Sequence, residues 1–240
     1  MLVCQIAIGE MRFPKCVELY WGAWASFRFI HKGGNMVHRT GIPHIATLVT
    51  ILTLGCGSFA LGATMSLQEA VHQGKVTMTI KGLGGSTGDA IVITLKRTVS
   101  ESLRLILDPG TVLPSASRTV QDMVAARVKG EQTGEYTYRP SQVIELRDDR
   151  EHAYLVEAYC LDFHKDNPGS ADRFQLGTID ERAKAILEGG AKQQASMNVL
   201  QSAIWIDREH VSDATLKQRF PVSDADIVRA RSLLNSLVRK

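Results

Sequence analysis

A single cysteine, Cys160, remains in the chain after residue 63, because the other three are Cys4, Cys16 and Cys56. Cys160 lies near the end of a segment, 153–161, whose alternation predicts a β-strand with Tyr154, Val156, Ala158 and Cys160 on one face. We therefore expect the thiol to point inward near the end of this strand. A lone thiol in an exported protein is a buried inert group, an intermolecular bridge or a functional group.

Gln201 is the second residue whose chemistry stands out. Met197, Gln201, Ile204 and Trp205 recur at the spacing that places side chains on one face of a helix. A carboxamide in such an apolar stripe needs partners for its donors and its acceptor, and without them its burial costs about 1–3 kcal/mol. The pattern predicts that another polar group meets Gln201 inside the fold.

Cys160 is a candidate for that group. A thiol that attacks the Gln201 carboxamide carbon would expel ammonia and leave an internal thioester, provided that the two groups approach closely and water is excluded. The resulting acyl group would react with an amine, either a lysine of a partner protein or a small-molecule amine. That reaction forms an amide bond and releases the thiol.

Two short segments, Tyr159-Cys160 and Gln201-Ser202-Ala203-Ile204-Trp205, resemble the thioester domains of Gram-positive surface adhesins. The resemblance implies that Cys160 and Gln201 form the thioester, with Tyr159, Ala203 and Trp205 as supporting residues. It also implies a β-sandwich with helices, and covalent binding in a single turnover rather than enzymatic catalysis. Leu200 stands where the family has Thr, and the short spacing of 41 residues between Cys160 and Gln201 implies a reduced helical subdomain.

Other functions stay open at this stage. The chain could be a non-covalent β-sandwich interaction module, or a cysteine-dependent hydrolase or transferase with His164 or His210 as the base. An acidic loop could bind calcium; its candidate ligands are Asp162, Asp166, Asn167 and Asp172. The residues at hand predict neither a zinc site nor a phosphate-binding loop, and we expect no cofactor.

The sequence around these residues predicts an α+β fold, in which an antiparallel β-sandwich or barrel precedes a small helical subdomain. Alternating residues and turn signals predict strands over about 72–165, with a type II turn at Asp108-Pro109-Gly110-Thr111. The helical part covers about 176–240. Its first helix has a capping box at Thr178–Glu181 and ends at Gly189-Gly190, a second spans about 193–208, and a third begins at Ser223.

The N-terminal 63 residues are predicted to lie outside the mature domain, residues 64–240. In residues 36–63, Arg39 precedes an apolar stretch, Ile45–Leu54, and small residues around Ala63, which is typical of a signal peptide. Thr53-Leu54-Gly55-Cys56 would suit a lipoprotein signal with Cys56 lipidated, and a single membrane anchor is the other alternative. Residues 1–35 are interpreted as an over-extended N-terminus. We expect a secreted or cell-envelope protein that meets the membrane only through its signal or a lipid anchor.

The distribution of charge argues against nucleic-acid binding. Residues 1–63 hold five of the 28 basic and two of the 25 acidic residues, so the remaining chain holds 23 of each and is neutral. Binding to nucleic acid requires a basic surface that releases counterions, and no basic stripe is present. The interspersed charges are typical of an ordinary globular surface.

Overall fold

The computed structural model describes residues 64–134 and 137–238, which form ten strands and five helices. The strands are β1 Thr64–Ser66, β2 Val76–Gly82, β3 Thr87–Arg97, β4 Leu103–Ile106, β5 Val112–Leu113, β6 Met123–Gly134, β7 Thr137–Pro140, β8 Ile144–Leu146, β9 His152–Cys160 and β10 Arg173–Phe174. The helices are α1 Leu67–His72, α2 Glu181–Lys192, α3 Met197–Glu209, α4 Asp213–Arg219 and α5 Asp224–Val238. The predicted α+β class is confirmed.

The strands form two open sheets. The larger sheet has the order β10-β2-β3-β9-β6-β5, with β7 paired to β6, and all of its pairings are antiparallel. The smaller sheet has the order β1-β4-β8, with a parallel β1–β4 pair. Within the described residues neither sheet closes on itself, so the structure contains no barrel.

The central strand β9 has two faces with different neighbours. Tyr154, on the face that also carries Cys160, exchanges hydrogen bonds through its hydroxyl with the main chain of Glu145 on β8 at 2.8 and 3.0 Å. The opposite face carries Glu157 and Tyr159, and a cleft on this side is lined by Glu157 together with residues of α2 and α3. The larger sheet therefore lies between the smaller sheet on one side and helices on the other.

Helix α3 is the central element of the helical part. Every residue from Val199 to Ile206 is buried, since α3 contacts β3 and β9 as well as α2 and α5. Its N-terminus is capped by Ser196, whose hydroxyl accepts a hydrogen bond from the Val199 N–H. Met197 is half exposed, so the predicted buried stripe is correct for Gln201, Ile204 and Trp205 but wrong for Met197.

Two details of the predicted helices are wrong. Asp180, not Thr178, caps α2, because its carboxylate accepts hydrogen bonds from the N–H groups of Arg182 and Ala183. Gly189-Gly190 does not end α2, which continues to Lys192. The glycine pair instead permits close approach of the helices, since a Cβ at Gly190 would overlap Leu200 of α3.

The predicted turn before β5 is confirmed. Gly110 has a φ of +84°, which favours glycine, and the Thr111 N–H donates to the Asp108 carbonyl at 3.2 Å. The Gly110 N–H also donates to the Ala125 carbonyl of β6, and the Asp180 N–H donates to the Gly110 carbonyl at 2.9 Å. This turn therefore joins the sheet to the beginning of α2.

No helix in residues 64–134 and 137–238 has the length and apolarity needed to cross a membrane. Three predictions concern residues outside the described part of the chain: the over-extended N-terminus 1–35, the export signal at 36–63 and the lipidation of Cys56.

Candidate functional site

The structure brings Cys160 and Gln201 together. The Cys160 N–H donates to Gln201 Oε1 at 2.9 Å, and Gln201 Nε2 donates to the Cys160 carbonyl at 2.8 Å. Both residues are fully buried. The group that meets Gln201, as the sequence required, is therefore the main chain of Cys160.

The Gln201 carboxamide takes the place of a strand neighbour at the end of β9. The Cys160 N–H also donates to the Ser86 carbonyl at 3.2 Å, and Ser86 directly precedes the first residue of β3. A residue in an antiparallel sheet exchanges both main-chain hydrogen bonds with one partner across the ladder. The side chain of Gln201 makes both of these hydrogen bonds to Cys160, at the point where β3 begins. It thereby fixes α3 to the end of β9.

The Cys160 sulfur contacts the neighbouring strand β6. Met123 on β6 stands opposite Cys160, and its Sδ is 3.4 Å from Cys160 Sγ. Burial raises the pKa of the Cys160 thiol, and the negative charge of Asp162 raises it further. The thiol is therefore protonated at neutral pH.

The carboxamide carbon of Gln201 lies close to the main chain of Cys160. The two hydrogen bonds hold Gln201 Cδ within about 5 Å of the Cys160 Cα, and Sγ is two covalent bonds from that Cα. Side chains stand roughly perpendicular to the sheet, whereas ladder hydrogen bonds lie in it. Attack on the carboxamide would require Sγ to leave its contact with Met123 by rotation about χ1.

The supporting residues implied by the resemblance are all buried near this pair. Ala203 is fully buried on α3. Trp205, one turn after Gln201, makes edge-to-face contacts with Phe163 and Phe220, with ring centroids 4.9 and 5.1 Å away. The three rings pack edge to face as one aromatic cluster on the α3 turn that follows Gln201.

Tyr159 belongs to a polar cluster on the helix-covered face. Its hydroxyl donates to Glu157 Oε1 at 2.7 Å, and Arg127 Nε donates to Glu157 Oε2 at 2.8 Å. Burial raises the pKa of Tyr159, and the charge of Glu157 adds to the effect. Sequence analysis missed Glu157 and Arg127. The one available signal was a carboxylate within the otherwise apolar strand 153–161, since a buried carboxylate needs a cation.

The two histidines considered as bases are not hydrogen-bonded to Cys160 among the described residues. His164 is exposed and lies near Arg219, with Nδ1 3.3 Å from Arg219 Nη1. His210 is exposed and ends α3 in the left-handed conformation, with φ +54°. The thiol is fully buried and its sulfur contacts Met123, so the structure favours no nucleophile–base pair.

Three of the four side chains considered for calcium, those of Asp162, Asn167 and Asp172, make hydrogen bonds within the fold, whereas the exposed Asp166 side chain makes none among the described residues. Asp162 Oδ2 accepts from the Asp122 N–H and from Lys165 Nζ, both at 3.0 Å. Asp172 Oδ2 accepts from the Gly169 N–H, and Asn167 Oδ1 accepts from Gln121 Nε2. No group of three or more His, Cys, Asp or Glu suited to a metal ion occurs in the described part of the chain.

No family model matches the chain, and neither a curated protein nor a solved structure matches it. The thioester role of Cys160 and Gln201 therefore stays a prediction that depends on the residues themselves.

Proposed function

We propose that this chain is an exported cell-envelope binding domain in which Cys160 and Gln201 form an internal thioester that captures amines covalently. The observation that carries the proposal is the pair of hydrogen bonds between the Gln201 carboxamide and the Cys160 main chain in a fully buried site. In this proposal the two sheets, linked through Tyr154 and Glu145, are the β-sandwich that presents the thioester.

The hydrogen bonds also prepare the carboxamide for attack. The Cys160 N–H, 2.9 Å from Gln201 Oε1, polarises the carbonyl and would stabilise the negative charge that develops on this oxygen in a tetrahedral intermediate. The contact of Nε2 with the Cys160 carbonyl holds the leaving nitrogen in a fixed orientation. Both effects are stronger in a buried site than in water.

The reaction balances without another reactant. The Sγ–Cδ bond forms, the Cδ–Nε2 bond breaks, and the thiol proton moves to Nε2, which leaves as ammonia. Because burial raises the pKa of the Cys160 thiol, we propose that this proton moves directly to the leaving nitrogen rather than through a free thiolate. The rotation of Sγ away from Met123 precedes the attack.

Amine capture tests this function. Incubation of the folded chain with methylamine should attach one methylamine at residue 201 and release one thiol at Cys160, as located by peptide mass spectrometry. Cys160→Ala is the matched control, since it removes the sulfur but keeps both main-chain partners of Gln201. Equal incorporation by the wild type and Cys160→Ala, or none by the wild type, would contradict the proposal.

A non-covalent interaction module is the second candidate, and one observation favours it. Both the acceptor and the donor of the Gln201 carboxamide already have main-chain partners, and Cys160 Sγ contacts Met123 Sδ. A glutamine satisfied in this way needs no covalent bond to be stable in the core. Under this candidate Gln201 only fixes α3 to β9, and the chain keeps the mass of its sequence.

A further inference from the structure

Amine capture at Gln201 requires a route from solvent to a fully buried pair. Most of the surroundings of this pair cannot open without disrupting the core. Strand β9 is paired with β3 on one side and with β6 on the other, and α3 is buried from Val199 to Ile206. Separating either element from its neighbours would break many contacts, so the route has to use a segment that is exposed and weakly held.

Such a segment lies between β2 and β3. Residues 83–86, which we call the glycine loop, place the Ser86 carbonyl 3.2 Å from the Cys160 N–H. Gly84 and Gly85 have φ values of +105° and +85°, and a Cβ added at either residue would meet no other part of the described chain within 4 Å. The tip of the glycine loop is therefore unpacked, although its last residue contacts the main chain of Cys160.

The contact between Ser86 and Cys160 can break without leaving a buried polar group unpartnered. The Cys160 N–H has two acceptors, and the shorter contact, of 2.9 Å, is with Gln201 Oε1. When Ser86 moves outward, the N–H keeps Gln201, and water can hydrate the Ser86 carbonyl because this residue is already partly exposed. The opening therefore avoids the penalty of an unpartnered buried group.

Met197 covers the neighbouring gap between α3 and β3. It lies one helical turn before Gln201 and is 52% exposed. A Cβ added at Gly88 would lie 2.8 Å from Met197 Sδ, so the side chain lies directly on the main chain of β3, two residues after Ser86. Methionine is unbranched and changes conformation easily, so this cover can move aside.

The two ends of the glycine loop stay in place when Ser86 moves. The Leu83 N–H donates to the Ala90 carbonyl at 2.8 Å, and Thr87 is paired with Tyr159 of β9. Movement is thereby confined to the three residues between these anchors. So short a segment makes a narrow opening, which suits an unbranched primary amine such as a lysine side chain.

We propose that the glycine loop and Met197 form a gate over the Cys160–Gln201 pair, and that the amine enters when Ser86 releases the Cys160 N–H. The entry of amines rests on the proposed thioester, whereas the opening itself is a property of the fold. Two measurements therefore test the gate, one without the thioester and one with it.

Hydrogen exchange of the Gln201 side-chain amide tests the opening without a thioester. The measurement uses the full-length, ¹⁵N-labelled Cys160→Ala chain, which cannot form the bond but keeps both main-chain partners of Gln201. Gly85→Ala in this background disfavours the positive φ of the closed loop and should accelerate the exchange by about fivefold or more. Gly74→Ala is the matched control. It introduces similar strain at φ +66°, also in open space, but in the turn before β2, and should leave the exchange unchanged.

Met197→Ala tests the other half of the gate. It uncovers Gly88 and should accelerate the same exchange by about threefold or more, since contact worth at least one methylene group is lost. Val228→Ala is its control, because Val228 is also an exposed apolar residue on a helix, at 67% exposure on α5. The dispersion of the amide spectrum shows whether each variant is folded.

The rate of methylamine capture tests the route in the chain that retains Cys160. Gly85→Ala and Met197→Ala should capture methylamine faster than the wild type by the same factors, and Gly74→Ala and Val228→Ala should match the wild type.

Equal exchange of the Gln201 amide in Gly85→Ala and Gly74→Ala would overturn the gate, whether or not the thioester forms. Faster exchange without faster capture, in a chain that has lost ammonia, would overturn the gate as the route of the amine. A wild type of full mass would defeat the thioester and with it the entry of amines, and the exchange rates would still decide whether the gate opens.

Discussion

The side chain of Gln201 serves as the strand partner of Cys160, a residue 41 positions earlier in the chain. It exchanges two hydrogen bonds, of 2.9 and 2.8 Å, with the main chain of Cys160 at the end of β9. Because Gln201 lies on the central helix α3, this contact ties the helical part to the sheet. Both candidate functions depend on this contact. In the thioester domain it prepares the covalent bond, and in the non-covalent module it alone fixes α3 to β9.

Replacement of Gln201 by methionine should destabilise the fold. Gln201→Met keeps the approximate volume of the side chain but removes both hydrogen bonds to Cys160. The Cys160 N–H retains the Ser86 carbonyl, whereas the Cys160 carbonyl loses its partner. We expect the free energy of unfolding, measured by urea denaturation, to fall by about 1–3 kcal/mol.

Ser202→Ala is the control for that measurement. Ser202 is the next residue on α3 and is fully buried, but its hydroxyl has no partner among the described residues. Its removal should leave the free energy of unfolding unchanged or raise it. A loss for Ser202→Ala equal to that for Gln201→Met would show that any change in α3 is destabilising and that the contact with Cys160 has no special role.

The turn at Gly110 should not tolerate a side chain. An added Cβ would lie 2.6 Å from the Lys184 Cβ and 2.9 Å from the Asp180 carbonyl oxygen, at a φ of +84°. Gly110→Ala should therefore lower the free energy of unfolding by about 2 kcal/mol or more. Gly74→Ala, at φ +66° with open space around the Cβ, should cost only about 1 kcal/mol. Equal losses in denaturation experiments would contradict the close approach of α2 to this turn.

The N-terminal cap of α2 provides a test at a partly buried site. Asp180→Ala removes the acceptor for the N–H groups of Arg182 and Ala183 and the ion pair with Arg208. We expect a drop of about 1 kcal/mol in the free energy of unfolding. Thr178→Ala, at the position that the sequence predicted as the cap, should have little effect. The opposite ranking would restore the predicted capping box.

Stability should depend on pH through His152. Partial burial lowers the pKa of His152, but its hydrogen bonds with Glu131 at 2.6 Å and Asp148 at 2.9 Å outweigh that effect and raise the pKa overall. Because the folded-state pKa is above the unfolded value, the stabilisation is complete below about pH 6.5 and is lost as the pH rises through the folded-state value.

The difference in free energy of unfolding between the wild type and His152→Gln measures this contribution. It should be largest near about pH 6 and should shrink toward about pH 9. A difference that stays constant or grows over this range would contradict the assignment of the two carboxylates as partners of the protonated ring.

Local patterns predicted the longer strands, the long helices and the turn at Asp108–Thr111, because alternation, helical periodicity and a Pro-Gly pair are properties of neighbouring residues. The short strands β1, β5, β7 and β10 were not predicted. The short helices α1 and α4 were missed, since six or seven residues are too few to show a clear period. The predicted cap of α2 was wrong because local sequence does not distinguish Thr178 from Asp180, since both residue types suit a cap. The hydrogen bond from the Asp180 N–H to the Gly110 carbonyl is a contact between distant residues and favours the later start.

The meeting of Cys160 and Gln201 could be anticipated because a carboxamide in an apolar stripe needs a partner. Its geometry could not, since the carboxamide reaches the main chain of Cys160 beside Ser86, where β3 begins, and a single sequence does not specify that arrangement. The contact of Sγ with Met123 likewise depends on the register of β6 and β9, which a single sequence does not specify. The ion pair between Arg127 and Glu157 follows an irregularity in β6 between Ala125 and Arg127 that alternation does not predict.

The intact mass of the freshly purified chain tests the central proposal most directly. Thioester formation removes one ammonia, so the wild type should be lighter than its covalent sequence mass by about 17 Da. Cys160→Ala should have the full mass of its own sequence. A wild type at full mass, with one thiol titratable after denaturation at Cys160, would contradict the thioester and leave the non-covalent module as the function of this fold.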